Sequence, residues 1–168
     1  MLIEMPSRRK TLDATRRTAL LVEDDPQLQR AISIELARMN FQPLLASHYD
    51  AAIRHLAVHE PHVACIDVGL PNKSGYELCE HIRGSLGLAG LPILMTSDYG
   101  SPQDRAYAED AGGNAFLRKP FSMEELRMCI ESLSSASRRS VPLRSDLEAM
   151  GRRARSAQRV ERAGILAA

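Results

Sequence analysis

Tryptophan is absent from the chain, and its 168 residues hold only three phenylalanines, four tyrosines and three cysteines. An odd number of cysteines, without metal-like or redox-like spacing, gives no disulfide framework and fits a reducing cytosol. Cys65 and Cys129 lie among apolar neighbours and read as small core residues. No segment approaches the roughly 20 apolar residues of a membrane span. The opening "MLIEMPSRRK" has no apolar run of about 7–15 residues, so no signal peptide and a cytoplasmic protein are expected. The histidines (His48, His55, His59, His62 and His81) form no ligand-like grouping. There is no internal repeat.

What remains is ordinary for a folded protein: 44% apolar and 26% charged residues, in a length that suits one domain with a real core. The net charge of +1 conceals an asymmetry. Residues 1–17 sum to +3, residues 136–168 to +5, and residues 18–135 to −7. Composition changes at the same places, since "SSASRRS" after Leu133 is a small, polar linker and "SRRKTLDATRR" has no apolar periodicity. Residues 18–135 are therefore expected to form the domain. Residues 1–17 would be a basic N-terminal extension, and residues 136–168 an arginine-rich, partly helical C-terminal one.

Within that domain, strand and helix patterns alternate. "TALLVE", "QPLLAS", "HVACID", "LPILMTS" and "NAFLRK" read as strands. "DPQLQRAISIELARMN" follows the first as a helix, with Asp25 as N-cap, Pro26 at the first helical position, and Leu28, Ala31, Ile32, Leu36 and Met39 at helical spacing. "YDAAIRHLAVH", "SGYELCEHIRG", "SPQDRAYAEDAG" and "SMEELRMCIESL" are the remaining helices, the last opened by a Ser122–Glu125 capping box. Five strands alternating with five helices predict an α/β fold, a doubly wound (βα)5 sandwich on a five-stranded parallel sheet. The strands are apolar enough that none is expected to have a wet face.

In open α/β sheets the working site lies beyond the carboxyl ends of the strands. Reading those ends gives Glu23 and Asp24 after the first strand, Asp67 after the third, Thr96 and Ser97 after the fourth, and Lys119 after the fifth. A carboxylate such as Asp67 at the end of an apolar strand is costly unless paired, metal-bound or used. Three neighbouring acids call for a cation, and oxygen ligands with room for water suit Mg²⁺. A carboxylate can serve as a nucleophile toward a phosphoryl group. Its transfer needs positioning and neutralised oxygens, which Mg²⁺, Lys119 and the Thr96 hydroxyl would supply.

With "LLVEDDP", "IDVGLPNKSGYEL", "PILMTS" and "FLRKPF" in this order, each at its own strand end, residues 18–135 resemble a response-regulator receiver domain of two-component signalling. That resemblance implies a flavodoxin-like fold and a phosphorylation-dependent switch or phosphate shuttle rather than an enzyme. It implies Asp67 as phosphoacceptor, Asp24 as a direct Mg²⁺ ligand, Glu23 as a ligand through water, and the Gly69 backbone carbonyl facing the metal. Thr96 and Lys119 would bind phosphoryl oxygens, Phe116 would be the aromatic switch, and Lys119–Pro120 would be cis. The partners implied are a sensor histidine kinase or histidine phosphotransfer protein and a downstream protein target. Two departures stand out. Ser97 replaces the usual Ala or Gly and tightens the pocket slightly, and Gly69 has no side chain to shield an acyl phosphate from water.

Three rival functions fit parts of this pattern. A hydrolase resembling the haloacid dehalogenases wants a second acid two residues after its nucleophile, where this chain has Gly69. A pseudo-receiver acting only by protein contact would not need the full set of acids, threonine and lysine. Nucleic-acid binding through Arg138, Arg139, Arg144, Arg152, Arg153, Arg155, Arg159 and Arg162 lacks interleaved aromatics and a helix-turn-helix, so it is not expected. In the C-terminal extension Leu143, Leu147, Met150, Ala154 and Ala157 form a thin apolar stripe. It reads as a solvated extension or as a helix for a partner or a homodimer.

Overall fold

The computed structural model describes residues 16–139. The expected apolar stripe beyond Arg139 and nearly all of the N-terminal extension lie outside them. The chain divides into two compact units between Ser134 and Ser135, and all five strands belong to the first.

Strands and helices alternate as β1 (Arg17–Val22), α1 (Pro26–Arg38), β2 (Phe41–Ala46), α2 (Tyr49–Leu56), β3 (Val63–Asp67), α3 (Gly75–Arg83), β4 (Ile93–Ser97), α4 (Pro102–Asp110), β5 (Ala115–Arg118) and α5 (Met123–Arg139). All strand pairs are parallel, in the order β2-β1-β3-β4-β5. The result is a doubly wound, flavodoxin-like sheet. Its two faces carry separate cores. Leu20, Val22, Ile66, Ile93 and Met95 pack with α2, α3 and Ala108 of α4, while Leu21, Cys65 and Leu94 pack with Ile32 and Leu36 of α1 and Leu126 and Ile130 of α5. β3 and β4, buried along their whole lengths, have no polar face to solvent, as central parallel strands require.

Four local expectations are corrected. The edge strands do have wet positions, since Leu45 on β2 is 44% exposed and Arg118 on β5 is exposed. Pro43, which lacks an N–H, is accommodated on the edge strand β2. On α1 the buried face holds Ile32, Glu35 and Leu36, and Ala31 is exposed; Glu35 is carried inward by its spacing and pairs with Arg38 at 3.3 Å. α5 runs on to Arg139 through the stretch read as a linker, because Ser, Ala and Arg propagate a helix and neither Gly nor Pro intervenes before Pro142. β1 starts at Arg17, one residue inside the stretch read as the N-terminal extension, with the Arg17 guanidinium 4.2 Å from the centre of the Phe41 ring.

Capping follows sequence. Asp25 Oδ1 accepts from the amides of Gln27 (2.7 Å) and Leu28 (3.1 Å). Ser74 with Glu77 and Ser101 with Asp104 close reciprocal boxes at the starts of α3 and α4, and Ser122 with Glu125 does the same before α5. α4 is the polar exception, with Ala108 as its one buried residue.

Candidate functional site

Parallel pairing brings the carboxyl ends of β1, β3, β4 and β5 to one edge of the sheet. Asp67 and Thr96 are register partners across β3 and β4, and Val22, just before Glu23, is the partner of Ile66. Carboxylate oxygens of Glu23, Asp24 and Asp67 lie within 4.8 Å of one another. Glu23 and Asp67 are buried, whereas Asp24 is exposed. Lys119 reaches in from the end of β5, placing Nζ 2.9 Å from Glu23 Oε2 and 3.0 Å from Asp67 Oδ1. Both oxygens are held by the charge of that ammonium and take no further hydrogen bond. The Lys119 amide donates to Ser97 O at 2.7 Å, and the Lys119–Pro120 bond is cis.

Three carboxylates against one ammonium leave the cluster with excess negative charge, and burial aggravates it. Burial pushes the Asp67 carboxyl above the usual aspartate range; Lys119 and the Gly69 amide pull it back, and the Asp24 charge adds to the rise. Burial likewise raises Glu23, opposed by Lys119 and the Asp25 amide. For Lys119, burial favours the neutral amine, but hydrogen bonds to Glu23 and Asp67 outweigh it and hold the ammonium above the ordinary lysine value. The Thr96 hydroxyl is buried and has no partner, a costly state for a polar group in a native fold. All-oxygen donors with unspent negative charge fit a hard divalent cation, and an unpaired hydroxyl beside them fits an incoming oxygen.

The cluster opens into a cleft of about 490 Å³ lined by Glu23, Asp24, Leu28, Asp67, Gly69 and Lys119, and also by Asp98. Asp98 did not stand out in the sequence, since it follows the end of β4 in a polar loop. Ser97, the departure noted above, is buried, and its hydroxyl accepts from the Tyr99 amide at 3.1 Å. Gly69 contacts Asp67 through its N–H, and a Cβ at that position would stand 3.4 Å from Asp67 Oδ2. Two supporting residues also escaped sequence reasoning. Gln29 Nε2 donates to Glu23 O and Ala46 O, both at 2.9 Å, tying β1 and β2 together beneath the acids. Gly75 falls in the stretch read as the third helix, "SGYELCEHIRG", with nothing local to mark it. Any Cβ there would lie 2.1 Å from the Asp67 carbonyl oxygen, so the start of α3 can approach the end of β3 only as glycine.

Phe116 stands apart from this cluster. It is half-buried on β5, packed on the α2/α3/α4 core, with Met95 rather than Thr96 as its register partner.

The response regulator receiver domain model matches residues 19–131. The chain belongs to that family. The receiver is 35% identical over 121 residues to the transcriptional regulatory protein KdpE of Mycobacterium tuberculosis, covering 72% of this chain and 51% of that protein. It is 28% identical over 127 residues to the phosphate regulon transcriptional regulatory protein PhoB of Escherichia coli, covering 76% and 54%. The chain thus spans about half the length of these curated relatives. Among solved structures, a putative response regulator from Chloroflexus aurantiacus superposes with a TM-score of 0.67 at 28% identity, covering 71% of this chain and 98% of that one. A CheY-like receiver domain protein from Methanospirillum hungatei gives 0.67 at 20% identity, covering 74% and 98%, a likeness of fold. Receiver domains are signalling switches of two-component systems. No helix among the described residues is long and apolar enough to cross a membrane.

Proposed function

We propose that this receiver accepts a phosphoryl group on Asp67 from a phosphohistidine of a sensor kinase or phosphotransfer protein in the cytoplasm and signals by reshaping its α4–β5–α5 face. The observation that carries this reading is one juxtaposition at a solvent-open cleft. A buried strand-end carboxylate, the Lys119 ammonium and an unpartnered Thr96 hydroxyl meet beside two more acids.

Asp67 attacks the phosphorus through a carboxylate oxygen; the P–N bond breaks, and its electron pair leaves with the imidazole. Lys119 and Thr96 take phosphoryl oxygens, which gives the orphaned hydroxyl its partner. Glu23, Asp24, Asp67 and the Gly69 carbonyl would hold Mg²⁺, which when bound supplies positive charge against the phosphoryl oxygens. Lys119, already between Glu23 and Asp67, can turn its ammonium from these carboxylates toward a phosphoryl oxygen. As Thr96 moves toward the phosphoryl group, Phe116 turns in behind it. A near-complete shift needs about 5.5 kcal/mol of differential binding. Two hydrogen bonds to a charged group, at about 1.5–3 kcal/mol each, are of that size.

Purified protein with Mg²⁺ and acetyl phosphate should gain one base-labile phosphoryl group, and Asp67→Asn none. Asp24→Asn should weaken Mg²⁺ binding at least tenfold, while Asp25→Asn, which preserves the cap, should change it far less. A wild type left unmodified with Mg²⁺ present would favour the pseudo-receiver instead.

A further inference from the structure

Phe116 lies under a cation. The Arg105 guanidinium carbon on α4 is 5.4 Å from the centre of the Phe116 ring. Both residues line a cleft of about 270 Å³ between α4 and β5, together with Ala108, Glu109, Gly113 and Asn114. Glu109 stands one helical turn from Arg105 and would be its natural partner, yet Arg105 makes no ion pair among the described residues. The guanidinium is set against the ring instead. α4 buries only Ala108, so apolar packing anchors it weakly and a polar contact to β5 has correspondingly more influence on where it sits.

We infer that Arg105 is a positioning residue for Phe116, clasping the ring in the α4–β5 cleft and biasing the receiver toward its unphosphorylated arrangement. This rests on the switch reading above, since the clasp matters only if Phe116 moves. To turn toward Thr96 the ring must leave the cation. A partly exposed cation–ring contact of this kind shifts a two-state equilibrium about two- to fivefold. When the binding-competent state is the minor one, apparent affinity for whatever selects it rises by the same factor as its population.

The test uses beryllofluoride with Mg²⁺ as the phosphoryl mimic and follows Phe116 by NMR. Arg105→Ala is an exposed helical substitution to the best helix former and should leave the fold intact. It should bind the mimic about two- to fivefold more tightly, and its free-state Phe116 resonances should move part-way toward the bound positions. Arg105→Lys, which keeps a cation over the ring, should stay near the wild type. In a Phe116→Leu background, Arg105→Ala should change nothing. If wild-type Phe116 moves on binding but Arg105→Ala binds with unchanged affinity, the clasp alone is overturned. The same holds if the gain persists in Phe116→Leu. A wild type that does not bind the mimic, or binds it with Phe116 unmoved, overturns the switch reading and the clasp with it.

Discussion

Two polar clusters at opposite ends of the sheet treat their groups in opposite ways. At the amino end, Arg83 of α3 donates through Nε to Gly112 O (2.9 Å), and through its two terminal nitrogens to Leu88 O (2.7 Å) and Asn114 Oδ1 (2.8 Å). Asn114 Oδ1 also accepts the Ile93 amide at 2.8 Å, so one arginine and one asparagine knit the end of α3, the loop before β4 and the loop before β5. At the carboxyl end, two buried carboxylate oxygens share a single ammonium and a buried hydroxyl has no partner. Satisfied polar networks rigidify a fold; unsatisfied ones persist where a ligand completes them. The Arg83–Asn114 cluster is built to hold and the Asp67 cluster to bind.

The sharpest way to break this comparison is Arg83→Ala. It removes three hydrogen bonds at once, leaving Asn114 Oδ1 with the Ile93 amide and Leu88 O with the Leu91 amide but Gly112 O with no side-chain donor. It should cost roughly 3 kcal/mol in urea unfolding, with phosphoryl uptake of the folded protein unchanged. Gly75→Ala tests the joint between the two regimes. The added Cβ collides with the Asp67 carbonyl, so a loss of about 1–3 kcal/mol should come with slower phosphorylation, because relief of the clash moves the strand end itself. Asp67→Asn should behave in the opposite sense. Without metal at neutral pH it removes a charge that burial disfavours, so the protein should be as stable as wild type or more stable by up to about 1 kcal/mol. A marked loss there would mean that Asp67 is a structural ion-pair partner.

The smallest effect concerns the helix caps, which belong to neither cluster. Hydrogen bonds from Ser101 hold Asp104, and those from Ser122 hold Glu125, below the ordinary carboxylate values. A depressed folded-state pKa contributes stability that is present above the unfolded value and lost as pH falls through the folded one. Both caps should therefore weaken only as pH drops below about 4, and Asp104→Asn or Glu125→Gln should flatten that part of the stability–pH curve.

Most of the carboxyl end was legible because it violates local expectation. Asp67 ends a run of buried apolar residues, Lys119 sits between an apolar strand and Pro-Phe, and Glu23 and Asp24 follow "LLV"; each is a charge where burial is costly. Alternating strand and helix periods carried the (βα)5 order for the same local reason. The amino end was not legible. Arg83 and Gly112 are 29 residues apart and conspicuous only once α3 and the α4–β5 loop meet. Gly75 looked like an ordinary first-turn helix residue, since nothing local states that a carbonyl oxygen lies against it. Asp98 was hidden by following Ser97 into a polar loop. Glu35 broke the apolar stripe of α1 and was passed over, although its spacing from Ile32 and Met39 placed it inward.

The central claim is tested most directly by one labelling experiment on three proteins in parallel. Wild type, Asp67→Asn and Arg83→Ala are incubated with Mg²⁺ and acetyl phosphate below the Arg83→Ala unfolding midpoint, and intact mass is read before and after mild base. One base-labile phosphoryl group should appear on wild type and on Arg83→Ala, and none on Asp67→Asn. Phosphoryl uptake by Asp67→Asn, or its absence from a folded Arg83→Ala, would contradict the division of labour between the two ends of the sheet.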